Sequence, residues 1–265
     1  MSRFIALIAS LACCAIFFSA HAQEKPSTPL ADEAESKESI KALLVTGEGH
    51  HDYETQKKIL TEGTSKLADI KWDIWHHKNA DEAKDDLSKD GWAKPYDVIV
   101  YNICHAHEKD KDFIDKLVKV HKEGKPLVAI HCTMHSYHWN VDGGKNSKVD
   151  KEWNMLMGVV SLGHGPHRPI TVSKVEGAEH PTIDNMPNQW KTKQGELYGI
   201  KKVYPTAVVL AHGDNGNAKH PVIWVNQYGK AKVFGTTLGH HNSTMENEHY
   251  IRLITDGIVW VSGDN

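Results

Sequence analysis

The segment LVAIHCTMHSYHW, residues 127–139, places His131, Cys132, His135 and His138 directly after four apolar residues. Imidazole transfers protons near neutral pH and binds transition metals, and a thiol can be a nucleophile, a metal ligand or half of a disulfide. The same residue types also occur in ordinary polar loops. The position of this segment in the fold therefore decides whether it is a site.

The elements that hold this segment form an alternating pattern. Short apolar runs at 41–47, 70–77, 96–102 and 125–131 are separated by stretches with helical spacing. This alternation predicts an α/β fold: a doubly wound, mostly parallel sheet flanked by helices, of the flavodoxin-like or class I glutamine amidotransferase-like type. Further strands are predicted at 168–175 and 205–211 and as a hairpin at 220–241, and a helix at 246–263.

Histidines follow these strands repeatedly, and the chain contains 19 of them. Ligands of open parallel sheets bind beyond the carboxyl ends of the strands, so distant histidines can meet at one edge. His51, His131 and His240 are the principal candidates. We interpret the following histidines as structural or solvated: His76, His77, His121, His180 and His220. The sequence leaves the role of His249 open.

Two cysteines, Cys104 and Cys132, stand at equivalent offsets after the third and fourth strands. Those strands are neighbours in the common doubly wound order, and this spacing is compatible with a disulfide. Cys132 therefore has three interpretations: a disulfide partner, a nucleophile or a buried thiol. The first and third are favoured.

The amino-terminal region is predicted to be a targeting segment. Residues 1–22 have an early Arg3, an apolar body and small residues at Ala20 and Ala22, as in a secretory signal peptide cleaved after Ala22. Cys13 and Cys14 suggest lipoprotein processing as a rival, but the preceding residues fit a lipobox poorly. Residues 23–40 are predicted to be a disordered linker and 41–265 a single domain. We expect a secreted or periplasmic protein.

Composition and motifs argue against some classes of partner and cofactor. The formal net charge of −3 argues against a nucleic-acid partner. No membrane span is expected after signal removal, and no G-x-G-x-x-G or Walker pattern points to a nucleotide cofactor. The histidines are compatible with a metal site. The sequence contains no H-E-x-x-H or C-x-x-C pattern, so no set of metal ligands is specified by a motif. A homo-oligomer is also compatible with the sequence.

Several dispersed blocks resemble the ThuA-like (trehalose utilisation) family, which shares the class I glutamine amidotransferase-like fold. They are LLVTG…HH (43–51), VAIHCTMHSYHW (128–139), GHGPHRPITV (163–172), HPTIDNMP (180–187), GELYGI (195–200) and the 220–241 hairpin. Amidotransferases carry a nucleophilic cysteine between glycines at the turn after the fourth strand. Here His131 matches that position, flanked by Ala129 and Thr133. A Cys-His hydrolase is therefore disfavoured, because the strained turn is not expected.

The resemblance implies sugar chemistry, notably on trehalose-related or 3-keto glycosides, and zinc as the expected metal. Under it, we expect Glu196, His131 and His164 to be catalytic, with Glu196 as the general base, and His51, His131 and His240 to bind the metal. Glu196 can equally be a surface carboxylate that caps a turn. The expected carbohydrate-binding residues are Tyr53, His105, His135, Tyr137, His138, Trp139, Tyr198 and His241.

Two functions from different classes follow. One is an exported carbohydrate-processing enzyme of isomerase, lyase or hydrolase type that uses His/Glu acid–base chemistry. The other is a non-catalytic sugar-binding or accessory protein on the same fold. A Cys132-dependent hydrolase is a distant third.

Overall fold

The computed structural model describes residues 38–138 and 151–263. The predicted signal peptide, most of the predicted linker and Trp139 lie outside these residues. The strands are β1 (Ile40–Gly47), β2 (Ile70–His77), β3 (Val98–Ile103), β4 (Leu127–Ile130), β5 (Val159–His164), β6 (Thr171–Lys174), β7 (Gln189–Lys191), β8 (Tyr198–Val203), β9 (Ala207–Asp214), β10 (Lys219–Tyr228) and β11 (Ala231–Thr236). The helices are α1 (Tyr53–Ser65), α2 (Ala80–Leu87), α3 (Lys111–Lys122), α4 (Glu152–Met157), α5 (Asn242–Met245) and α6 (Glu248–Ser262).

Nine strands form the central sheet, in the order β2-β1-β3-β4-β11-β10-β9-β6-β7. The first five pair in parallel and the others antiparallel. The parallel part has the flavodoxin order, with β11 as its fifth strand. The predicted doubly wound fold is therefore confirmed, as is the hairpin of β10 and β11. β1 begins at Ile40, where the predicted linker ends.

Helices cover both faces of the parallel part, because its central strands are apolar on both sides. Every residue of β3 and β4 is buried. On one face Leu44 and Val100 pack with Leu60 of α1 and with residues of α6. On the other face Leu43 and Tyr101 pack with residues of α2, α3 and α4. Asp52 and Asp110 cap the amino termini of α1 and α3.

A separate antiparallel pair, β5 with β8, was not predicted from the sequence. Both strands are only partly buried, and their pairing is interrupted by two register shifts, so neither shows a clean alternation of apolar and polar residues. His164 pairs with Tyr198 at one end of this ribbon. The ribbon thereby brings its own polar residues to the sheet edge that carries the strand-end histidines.

No helix among the described residues is long and apolar enough to cross a membrane.

Candidate active site

A cleft of about 520 Å³ lies beyond the carboxyl ends of the parallel strands, at the edge that the sequence predicts. This volume suits a small organic ligand. The loops after β1, β3, β4 and β11 form one side, and the β5–β8 ribbon supplies residues from the other. The lining residues are Glu48, Gly49, His50, His51, Cys104, Ala106, His107, Cys132, His135, His164, Glu196, Tyr198 and His240.

The turn after β4 is strained, contrary to the sequence expectation. His131 has φ +48, a left-handed conformation that non-glycine residues rarely adopt, and a turn of 3-10 helix follows it. The strand–turn–helix geometry of a nucleophile elbow therefore exists without flanking glycines, and it holds an imidazole. The expectation failed because buried contacts can hold a strained backbone that local sequence does not favour.

Glu196, just before β8, is the centre of the polar cluster. Although only 6 % exposed, it lies close to imidazoles from three other segments. Its Oε1 is 2.8 Å from His167 Nε2, 3.0 Å from His240 Nε2 and 3.4 Å from His164 Nδ1, and its Oε2 is 3.5 Å from His131 Nε2. Glu196 is therefore no surface cap, and the predicted meeting of Glu196, His131, His164 and His240 is found.

Hydrogen bonding fixes where the protons lie. Because a carbonyl oxygen only accepts, His131 Nδ1 donates to Thr237 O at 2.7 Å. Its Nε2, 3.3 Å from the Tyr198 hydroxyl, then bears the lone pair of the neutral ring. Since Glu196 accepts from His240 Nε2, His240 Nδ1 is left with a lone pair. That nitrogen is buried and has no hydrogen-bond partner.

Burial and these contacts set the ionisation of the cluster. Burial alone raises the pKa of Glu196, but the neighbouring imidazoles of His131 and His240 outweigh this effect. The pKa of Glu196 therefore lies well below its ordinary value. Burial lowers the pKa of His131, against the opposing effect of Glu196. Burial also lowers the pKa of His51 to about 3. The site thus combines a carboxylate of lowered pKa with two imidazoles of lowered pKa, His51 and His131.

Tyr198 lines the cleft although it is only 1 % exposed. Its ring stacks on His135 with centroids 4.1 Å apart and an interplanar angle of 6°. His135 Nε2 in turn lies 2.9 Å from Ser161 Oγ on β5. His51 completes the floor, with its ring centroid 4.9 Å from that of His131 and 4.6 Å from that of His240.

Several residues predicted to bind carbohydrate do not line the cleft. His105, Tyr137 and His138 are at most 1 % exposed, and none of them is among the lining residues. Tyr53 is also buried, with its ring 5.4 Å from His51. His241 lines an adjoining groove together with His51 and His240.

Cys104 and Cys132 are joined in a disulfide, with their Cα atoms 5.0 Å apart. Both line the cleft, at the neighbouring ends of β3 and β4. The disulfide interpretation therefore holds in this structure, and Cys132 offers no nucleophilic thiolate in this form.

Metal-ligating atoms converge at a somewhat different set of histidines from the predicted one. One ring nitrogen from each of His167, His240 and His241 lies within 4.8 Å of the others. His240 Nδ1 and His241 Nε2 are buried and have no hydrogen-bond partner. Glu196 accepts from His167 and His240, as carboxylates behind metal-binding histidines do. The donor set therefore fits a borderline cation such as Zn²⁺.

Sequence reasoning missed several residues of the site, among them His167 and Glu48. His167 is the second histidine of GHGPH, and that motif could have drawn attention to it. Glu48 lies in the Gly-Glu-Gly turn after β1 and lines the cleft opposite the ribbon. The feature of the sequence that could have identified Glu48 is a carboxylate between two glycines at the end of a strand.

Comparison with known proteins decides the family. The family model described as ThuA, trehalose utilisation, matches residues 41–261. The chain belongs to the ThuA family. Membership relates it to proteins of trehalose utilisation and covers the sheet, the ribbon and the cleft. No curated protein matches the chain.

Solved structures share the fold. A putative ThuA-like protein from Parabacteroides merdae is 18 % identical with a TM-score of 0.64, covering 85 % of this chain and 90 % of that one. One from Bacteroides uniformis is 19 % identical with a TM-score of 0.62, covering 86 % and 94 %. A putative GMP synthase subunit from Thermoplasma acidophilum is 14 % identical with a TM-score of 0.52, covering 85 % and 96 %. These similarities support the glutamine amidotransferase-like fold.

Proposed function

We propose that this ThuA-family protein is a carbohydrate-processing enzyme that acts on a keto-glycoside by removing a proton beside the carbonyl group. The observation that carries this proposal is the ionised, buried Glu196, which meets four imidazoles at the cleft. Family membership supports a sugar as the substrate. Tyr198 also lines the cleft, with its hydroxyl 3.3 Å from His131 Nε2.

The proton acceptor is the pair of Glu196 and His131. Oε1 of Glu196 accepts hydrogen bonds from His167 and His240, so Oε2 is the oxygen that takes the proton. A carboxylate with a low pKa is a weak base, but His131 Nε2 lies 3.5 Å from Oε2 and can take the proton onward. The Thr237 carbonyl stabilises the resulting imidazolium through Nδ1–H.

Tyr198 contributes a neutral hydroxyl at the same point. Burial raises the pKa of Tyr198 well above its ordinary value, so its hydroxyl keeps the proton. It can donate to the His131 nitrogen or to an oxyanion that develops on the substrate. Gln56 on α1 holds the loop after β11, because its Nε2 lies 3.0 Å from the carbonyl oxygen of His240.

His167, His240 and His241 are the residues that would hold a Zn²⁺ ion. Such an ion would polarise the substrate carbonyl and stabilise the negative charge that forms on its oxygen.

Deuterium exchange tests this proposal directly. When the protein is incubated with 3-keto glucosides in D₂O, the proton beside the carbonyl is expected to exchange, and NMR measures the rate with and without chelator and added zinc. Glu196→Gln should lower the exchange rate by about 10²- to 10⁴-fold. Glu176→Gln, which changes an exposed carboxylate, should leave it unchanged. Ligand-induced thermal stabilisation without exchange or turnover would instead establish a sugar-binding protein.

A further inference from the structure

Three non-glycine residues in the described part of the chain have positive φ: Glu48 at +55, His131 at +48 and Tyr137 at +59. All three belong to the cleft or to the layer directly behind it. Backbone strain of this kind is unfavourable and concentrates at functional sites. His131 already has a role in the proposed reaction. The positive φ of Glu48 and of Tyr137 is not explained by that role.

Glu48 is held rigidly at the cleft. Its neighbours Gly47 and Gly49 have φ of +129 and +103. A Cβ on Gly47 would lie 1.9 Å from the His77 carbonyl oxygen, and one on Gly49 would lie 2.7 Å from Cys104 Cβ. The turn is therefore pressed between the ends of β2 and β3. It lies at the point between β1 and β3 where the strand order reverses, the usual position of a ligand in this fold.

A buried polar chain ends at the Glu48 carboxyl. His105 is completely buried, and its Nε2 lies 3.8 Å from Glu48 Oε2. Neither of these buried atoms has a hydrogen-bond partner. His105 Nδ1 lies 2.5 Å from the Tyr137 hydroxyl. When that hydroxyl donates to Nδ1, the ring proton lies on Nε2 and faces Glu48. Buried polar atoms without hydrogen-bond partners destabilise the fold. Two such atoms facing each other therefore point to a functional role for the pair.

We propose that Glu48 is the general acid of the cleft, with His105 and Tyr137 as positioning residues that orient its carboxyl group. This proposal rests on the proposed function and specifies its reaction as the elimination of an alcohol or sugar from a 3-keto glycoside. Glu48 and Glu196 both line the cleft and come from its two sides. The two carboxyl groups can therefore act on the two bonds that break in the elimination, the C2–H bond and the C1–O bond.

Atoms and electrons balance in this elimination. Glu196 removes the proton from C2, beside the C3 carbonyl, and the C2–H electrons form the C1=C2 double bond. The C1–O bond breaks, and the leaving oxygen takes the proton from the Glu48 carboxyl. The products are a 2-hydroxy enone derived from the sugar ring and a free alcohol or sugar. Net proton transfer from C2 to the leaving oxygen needs no oxidant or reductant.

Burial raises the pKa of Glu48, while the hydrogen bond from the Ala80 backbone opposes this effect. The charged groups that also act on Glu48 are His107, which lowers the pKa, and Asp81 and Glu108, which raise it.

Leaving-group dependence tests the proposal. A 4-nitrophenyl 3-keto-glucoside releases a stable anion, whereas a methyl 3-keto-glucoside needs a proton at its leaving oxygen. Glu48→Gln should release methanol about 10²- to 10⁴-fold more slowly. It should release 4-nitrophenol, and exchange the C2 proton, at rates within a few-fold of wild type. Tyr137→Phe should show a smaller loss with the same leaving-group dependence.

Each alternative outcome decides the question. Equal losses on both glycosides with unchanged C2 exchange, or full activity on the methyl glycoside, would overturn the acid role of Glu48 while the proposed function stands. A wild-type protein that neither exchanges C2 nor releases an alcohol would overturn both. Glu176→Gln serves as the matched control, and thermal unfolding of Glu48→Gln confirms that the variant is folded.

Discussion

The ring nitrogen Nδ1 of His131 donates a hydrogen bond to the backbone carbonyl of Thr237, 106 residues away along the chain and 2.7 Å away in space. This contact joins the end of β4 to the segment after β11 and sets the tautomer of a buried histidine beside Glu196. A neutral His131 therefore presents the lone pair of Nε2 to the Tyr198 hydroxyl.

We expect His131 to be the Nδ1–H tautomer at neutral pH, with a pKa below its ordinary value because the ring is buried. Imidazole ¹⁵N shifts of the protein, assigned with a His131→Asn variant, measure both properties. A His131 signal that reports the Nε2–H tautomer, or that titrates above about pH 6.5, the ordinary value, would contradict the assignment.

The disulfide should contribute substantially to stability. It links residues 28 apart in sequence, and constraint of the unfolded chain by a loop of this size is worth about 3–4 kcal/mol. Cys104→Ser combined with Cys132→Ser should lower the free energy of unfolding in urea by about this amount. A reductant should destabilise wild type equally and leave the double variant unaffected. Peptide mass mapping that finds both thiols free in oxidised protein would refute the pairing.

Substitution of Gly239 is expected to destabilise the protein, and Gly239 also positions His240. Its φ is +116, and an added Cβ would lie 2.6 Å from the Tyr250 hydroxyl and 3.1 Å from Met245 Cε. Gly177 provides the control, since its φ is +72 and its Cβ would meet nothing within 4 Å. Gly177→Ala should cost about 1 kcal/mol of strain.

Gly239→Ala should cost at least about 1–2 kcal/mol more, because it adds a steric clash to the strain. Denaturant unfolding of the two variants measures the difference. Equal losses would show that the packing around Gly239 yields easily.

Mild acid should destabilise the fold through His121, which is remote from the cleft. His121 is completely buried between Tyr101 and the Lys125 carbonyl, and burial lowers its pKa to about 4. In the unfolded chain it titrates near pH 6.5. The unfolded state therefore binds a proton that the folded state refuses, so stability is present above about pH 6.5 and is lost as pH falls toward about 4.

The measurement is the free energy of unfolding between about pH 8 and about pH 5. The slope for wild type should exceed that for His121→Gln by up to about 1.4 kcal/mol per pH unit below about pH 6.5. Well above that pH the two slopes should agree. Parallel curves over the whole range would count against a buried neutral His121.

The sequence by itself determined the parallel sheet, because apolar runs that alternate with helical spacing have few other stable arrangements. It also determined that His51, His131 and His240 meet, since parallel strands end at one edge. The proximity of Cys104 and Cys132 follows from the same order of strands.

Only the tertiary structure decided which polar residues face the cleft and which lie behind it. The β5–β8 ribbon, which carries Glu196 to the histidines, pairs segments distant in sequence with an irregular register. Local periodicity does not encode such a pairing. The positive φ of Glu48 and Tyr137 likewise depends on surrounding contacts rather than on residue type. These turns direct His105 and Tyr137 inward and leave Glu48 at the surface of the cleft.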